Sequence, residues 1–247
     1  MKTKVLFVIF VLLAFVAFGQ QETLISQAQI GEIKVTPPEF TGISVAKTTN
    51  DLSLISSYLM ENVLYPDNDA NHGSQGTEVV QFTVTADGNV KDFKVINSVS
   101  WEIDQEMIRV LKTTNGMWKP GYNNNQQVDM TKEVSMLFCL RESDKPVGEI
   151  FTDWATTSYK KGTKALFEKQ NVHKALKCFN EGINYLPYDK SLLMLRGICR
   201  YELGNKDGAM EDWNRMSNLG CDIDMSEYAE LLQSMKGYED LMAYIKK

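Results

Sequence analysis

The sequence predicts an α+β fold, a small antiparallel sheet packed by two helices, followed by an all-α helical-repeat domain. Three observations predict it. From residue 37 to 140 apolar residues alternate along three stretches and recur at helical spacing along two others, in the order helix, strand, strand, helix, strand. Asp87-Gly88 stands between the first two alternating stretches, and both residues tolerate the positive φ of a tight hairpin turn. Beyond residue 150 the pattern is helical only and repeats with a 34-residue period.

The chain opens with Lys2 and Lys4, then an unbroken apolar run, Val5–Phe18. That run is shorter than the roughly 20 residues a spanning helix needs. Ala17-Phe18-Gly19 places small residues at the end of the run, as at a signal-peptide cleavage site before Gln20. The segment 1–19 reads as a secretory signal peptide that delivers the protein to the periplasm; a retained inner-membrane anchor is the alternative. Residues 20–36 form a polar N-terminal linker.

Each element of the first domain, 37–140, has its own signal. Leu52, Ile55, Leu59 and Val63 share one helical face, with Asp51 as a candidate cap and Tyr65-Pro66 as the stop. A loop is expected over Asp67–Gly76. Val80, Phe82 and Val84 then alternate with Gln81, Thr83 and Thr85, and Phe93 and Val95 mark the return strand. Ile103, Met107, Val110 and Leu111 form a second helical stripe. After Trp118-Lys119-Pro120-Gly121, a final strand over Gln127–Cys139 carries Val134, Met136 and Phe138 on one face. Thr131, Glu133 and Ser135 point the other way.

Composition bounds the partners. The 247 residues are 43% hydrophobic and 23% charged, the balance of a globular protein rather than a disordered one. The formal charge is −6, and residues 37–140 alone carry 7 basic and 13 acidic side chains. Such a surface repels phosphates, which argues against nucleic acid as a partner. With only six prolines there is no long Pro-rich spacer.

Pro38-Glu39-Phe40-Thr41-Gly42, Tyr65, Pro66, Gly76, Asp87, Gly88, Asn89, Val90, Ile103, Asp104, Trp118, Lys119, Pro120 and Gly121 fall in an order and spacing that resembles the TonB C-terminal domain family. The resemblance covers about 100 residues. It implies a periplasmic module that binds the TonB box, a short extended segment of TonB-dependent outer-membrane receptors, along the edge of the last strand. Main-chain pairing of that kind tolerates many side chains. In the outward set of that strand, Ser135 stands near where relatives often carry proline.

Past a linker at 141–149, residues 150–247 repeat themselves. Ala175 and Ala209, Phe179 and Trp213, Ala165 and Cys199, and Pro187 and Cys221 each stand 34 apart. Over Thr156–Gly220 the pattern resembles tetratricopeptide repeats, with departures at Thr163, where glycine is preferred, and at Cys221, where proline is. Groove positions in that frame are Lys160, Lys164 and Phe167, then Met194, Ile198 and Tyr201. Two lysines beside apolar surface suit an acidic peptide; equally, the lysines are merely solvated and the apolar residues pack against a cap. Tyr228, Leu231, Leu232 and Met235, then Leu241, Tyr244 and Ile245, read as that cap.

Chemistry has little foothold. His72 and His173 are the only histidines, neither has a metal-ligand partner at helical spacing, and no nucleophile elbow or phosphate-cradling loop exists. The four cysteines are too widely spaced for a zinc site and read as buried thiols. No enzyme activity, cofactor, metal or small-molecule substrate is expected. The partners are proteins or peptides, bound either by the first domain or by the repeats.

Overall fold

The alternation over Val80–Thr85 becomes the central strand of a three-stranded sheet. In the computed structural model, which describes residues 34–42, 53–140, 144–220 and 228–245, β3 (Gly76–Val84) pairs antiparallel with β4 (Val90–Asn97) on one side and β8 (Met130–Phe138) on the other. The β3–β8 register runs unbroken from Gly76↔Phe138 to Val84↔Met130, whereas the β3–β4 ladder is irregular in two places. The β3–β4 hairpin turns at Asp87-Gly88. Gly88 has φ 78°, and a Cβ there would lie 2.4 Å from the Trp118 carbonyl oxygen, so the turn needs glycine twice over.

One face of this sheet is covered by α1 (Leu54–Asn62) and α3 (Trp101–Thr113). Ile55, Leu59, Ile103, Met107, Val110 and Leu111 are buried there against Val80, Phe82, Val84, Val134 and Phe138, as the helical and alternating patterns require. Ser53 and Ser100 cap the two helices by accepting the backbone N–H of Ser56 and Ile103. Leu52 and Asp51, the expected first apolar position and cap of the first helix, lie outside the described residues.

Two expectations need correction. The stretch read as a loop over 67–76 contains a short helix, α2 (Asp67–His72), ended by Gly73 at φ 73°. The last strand does not run through Gln127–Cys139. It divides at Asp129, whose carboxylate accepts the Ala86 N–H and pairs with Lys91 at 2.9 Å. Before that break, β7 (Gln126–Val128) folds back on β6 (Gly121–Asn123) through Asn124 and Asn125, at φ 48° and 66°. Asparagine tolerates that conformation better than most side chains. β1 (Val35–Thr36) extends the β6–β7 pair, and β2 (Glu39–Phe40) pairs with β5 (Trp118–Lys119). Among the described residues, three small antiparallel sheets thus replace the single one expected.

The helices of the second half follow as α4 (Val147–Thr163), α5 (Val172–Tyr185), α6 (Lys190–Glu202) and α7 (Lys206–Asn218), each packed on the next. The first of them begins inside the stretch read as a linker. Asn171, Asp189 and Asn205 cap the last three. Ala175, Phe179, Ala209 and Trp213 are wholly buried. Glycine meets aromatic at both pairs: a Cβ on Gly162 would lie 2.5 Å from the Phe179 ring and one on Gly197 2.2 Å from Trp213.

That equivalence corrects the reading of Thr163. The close contact falls on Gly162, one residue earlier, and a π-helical turn at Lys164–Glu168 takes up the extra residue. Two short helices, α8 (Ala229–Leu232) and α9 (Tyr238–Ile245), close the end of the array, burying Tyr228, Leu232 and Leu241 with Trp213 and Met216.

Both halves belong to one compact unit from Lys34 onward. β3 is therefore buried on both faces: Val80, Phe82 and Val84 meet α1 and α3, and Thr77 meets the second half, its hydroxyl donating to the Tyr185 carbonyl at 2.6 Å. The Asn184 amide donates to the Gln75 carbonyl at 2.7 Å, and Gly76 leaves room for it, since a Cβ would lie 2.6 Å away. Cys178 and Cys199 are buried free thiols, with that of Cys199 pushed up to about 12 by burial, and Cys139 is half-buried. Cys221 lies outside the described residues.

Candidate functional site

Among the described residues, β8 has a strand neighbour on one side only. The strand order β4-β3-β8 leaves its far edge open, with backbone N–H and C=O groups of alternate residues unused by the sheet. A groove of about 650 Å³ runs beside that edge, between Lys132–Ser135 and a wall in which Pro37, Pro38, Phe40, Leu54, Ile55 and Trp118 are apolar and Thr36, Glu39, Ser53 and Ser56 are polar. The apolar part of that wall has a local origin. Phe40 and Trp118 are cross-strand partners in the β2–β5 pair, with ring centroids 5.1 Å apart, and both are buried in the first core.

β4 is the other edge of the sheet, and it is poorly suited to accept a strand. Its ladder is irregular, Asp92 sits at φ 54°, and Lys91, Asp92 and Lys94 are exposed along it. Bulges and charges of this kind are how sheet edges are kept from pairing. β8 has neither the bulge nor the positive φ over its nine residues.

The outward set on β8 is only partly free. Thr131 and Ser135 are exposed, but the Glu133 carboxylate accepts from Arg215 of α7 at 3.1 Å. The Arg215 guanidinium lies 5.0 Å over the Tyr188 ring, and burial, aided by Glu133, raises the Tyr188 phenol above its usual range. Arg215 and Tyr188 were invisible to pattern reading, because nothing local links residue 133 to residue 215. The apolar wall was equally hidden, since Phe40 and Trp118 lie on strands of two residues.

The family-motif positions are structural supports of this sheet. Trp118 is buried, its Nε1–H donating to Thr114 Oγ1 at 3.0 Å, and its ring meets Phe82 at 5.4 Å. Gly121 is buried where a Cβ would lie 2.3 Å from Met130 Sδ, and Pro120 is half-buried between β5 and β6. Tyr65 packs its ring on Phe138 at 5.4 Å and donates its hydroxyl to the Ser74 carbonyl; burial first, then Asp69, pushes that phenol up to about 12. Pro66 is the residue before α2, and Asp87 is exposed at the hairpin.

The six groove positions of the second half do not form an open groove. Met194 and Ile198 are wholly buried in the core. Tyr201 stacks on Trp213 at 5.8 Å and donates to Asp240 of α9, and Phe167 packs on the same core. Lys160 is exposed, and Lys164, also exposed, sits in a weak pair with Glu168 at 3.9 Å.

One buried acid stands apart. Glu78, wholly inaccessible on β3, accepts the Val99 N–H at 2.9 Å through Oε2. Its Oε1 and Asp104 Oδ1 are buried without a donor if both carboxylates are ionised. Burial, with Asp104 adding to it against the opposing Val99 hydrogen bond, pushes Glu78 up to about 9, so a proton retained on Glu78 supplies the missing donor.

His72 is exposed at the end of α2, with Nδ1 2.7 Å from the Asn68 carbonyl, and His173 is exposed at the start of α5. Among the described residues no group of His, Cys, Asp and Glu side chains could hold a metal ion, and no helix is long and apolar enough to cross a membrane.

Residues 61–140 match the family model of the Gram-negative bacterial TonB protein C-terminal region. Among solved structures, the solution structure of Helicobacter pylori TonB-CTD (residues 194-285) matches at 22% identity, with a TM-score of 0.29, over 36% of this chain and 92% of that one. A second solution structure of the same domain, residues 179-285, matches at 18% identity and a TM-score of 0.30, over 38% of this chain and 89% of that one. No curated protein matches the chain.

Proposed function

We propose that this chain is an exported periplasmic protein whose TonB C-terminal-like region captures an extended segment of an outer-membrane transport component by strand addition to β8. The open edge of β8 carries the reading: nine residues in regular register, with a groove alongside whose wall is partly apolar. The signal-peptide-like start at Lys2–Gly19 supports export, and the match over 61–140 supports a TonB-like interaction module. We read α4–α7 as two tetratricopeptide repeats, on the strength of the 34-residue spacing and the paired glycine–aromatic contacts. The filled surface around Met194 and Ile198 argues against those repeats as the main recognition element.

The test uses proline, which removes a backbone donor and is poorly tolerated in a paired strand. Neighbouring residues of β8 send their N–H groups to opposite sides, one to β3 and the next to the open edge. Of Lys132→Pro and Glu133→Pro, the one whose N–H faces the edge is expected to abolish calorimetric binding of a receptor-derived peptide with circular dichroism unchanged. Glu133→Ala, which removes a side chain already engaged by Arg215, is expected to retain most of the affinity. Undiminished binding by both proline variants would rule this edge out.

A further inference from the structure

A second cleft, of about 710 Å³, lies between the sheet and α6–α7, lined by Lys94 and neighbouring residues of β4 on one wall and by Arg196, Arg200, Asp212 and Arg215 on the other. Its charges do not balance. Arg215 is matched by Glu133. Arg196 and Arg200, one helical turn apart, share a single carboxylate: Arg196 binds Asp212 through Nη2 at 2.6 Å and Nε at 3.0 Å, and Arg200 through Nη1 at 2.9 Å.

Asp212 is 3% exposed, so this is a largely dry arrangement of two cations on one anion. Burial, with Arg196 contributing, holds the Arg200 guanidinium below its usual range despite the favourable Asp212 charge. Arg200 also donates to the Gly208 carbonyl, at 3.0 Å, through that same Nη1. A guanidinium has five N–H donors, so both recorded contacts use one nitrogen and leave most of the fork unspent.

We infer that this cleft is a binding site for a carboxylate of an acidic protein segment, held by Arg200 and Arg196 with Lys94 across from them. Two features select a carboxylate. The lining holds four cations, Lys94, Arg196, Arg200 and Arg215, against three carboxylates, Glu133, Glu211 and Asp212, an excess of one positive charge that favours an anion. Guanidinium groups bind carboxylates in a planar, bidentate manner. The cleft opens on the opposite side of Glu133 from the apolar residues beside β8 and shares that residue with the groove, but the inference does not depend on strand addition there.

The experiment titrates the full chain with a fluorescently labelled glutamate hexapeptide, read by anisotropy at low and high salt. Binding is expected at low salt and is expected to weaken as salt rises. Arg200→Gln should weaken it about tenfold, the loss that follows from one charge-assisted hydrogen bond. Because Arg200→Gln also disturbs the Asp212 pairing, Lys94→Glu provides the independent arm. Lys94 is exposed on β4, so its reversal leaves the arginine pair intact and should weaken binding several-fold. Lys164→Glu, in the second half but outside the cleft, should leave binding unchanged. The absence of binding by the unaltered chain, or binding by Lys94→Glu and Arg200→Gln as tight as that of the unaltered chain, overturns the inference. Displacement of the peptide by an oligonucleotide or tripolyphosphate at lower concentration than by free glutamate peptide overturns the choice of a carboxylate.

Discussion

Trp213→Ala is expected to destabilise the protein by about 3–5 kcal/mol, the range for deleting a buried aromatic side chain. Trp213 is wholly buried at the meeting point of three elements. Its ring fills the space that Gly197 leaves open, Tyr201 stacks on it at 5.8 Å, and the Tyr244 ring of α9 lies 5.9 Å away. Its Nε1–H donates to the Met194 carbonyl at 3.3 Å. Truncation empties a cavity that α6, α7 and α9 cannot all close upon, and the melting temperature should fall on the order of 10 °C for a unit of this size. Trp101→Ala is the matched control. That residue is 72% exposed, so its loss should change stability by less than about 0.5 kcal/mol. A Trp213→Ala protein that melts with the control would show that α8 and α9 do not close the array as described.

Glu78→Gln is expected to stabilise the protein at neutral pH and to remove much of its stability loss in alkali. Glu78 has a folded pKa of about 9 against an ordinary value of 4.5. Between these values the folded chain holds a proton that the unfolded chain has released, so stability falls as pH rises. The contribution is fully present below about pH 4.5 and is lost on approaching pH 9. Glutamine keeps the geometry, since its oxygen still accepts from Val99 and its amide donates toward Asp104, without needing a proton from solvent. The gain at pH 7 should be about 3 kcal/mol, from roughly 1.4 kcal/mol per pH unit across that span. Urea unfolding of both proteins from pH 5 to pH 9 measures it. Parallel curves would mean that Glu78 is ionised in the folded protein.

Legibility followed the length over which a pattern could repeat. The stripes Ile103–Leu111 and Val134–Phe138 and the Asp87-Gly88 turn were readable because several residues in a row obey one period or one φ requirement. The β1, β2, β5, β6 and β7 strands were not, because two or three residues show no alternation. Asn124-Asn125 was the one available signal for the β6–β7 hairpin. A 34-residue count pointed to Thr163, and the π turn moved the close contact to Gly162, a shift no fixed period can reveal. The open edge was expected from the last strand and its resemblance. Its apolar wall and the Arg215–Glu133 contact depend on tertiary neighbours far along the chain. The acidic composition concealed the cationic cleft for a related reason: a charge total says nothing about which side chains converge.

The most direct measurement is backbone amide NMR of the full chain titrated with an extended peptide from a TonB-dependent receptor. Strand addition predicts that the largest shift changes fall within Thr131–Leu137, and that alternate β8 amides become protected from hydrogen exchange as the peptide saturates. The β4 amides and those around Lys160, Lys164 and Tyr201 should move little. Saturating shifts centred on β4 or on α4 and α6, with β8 unaltered, would contradict the account and place recognition elsewhere on the molecule.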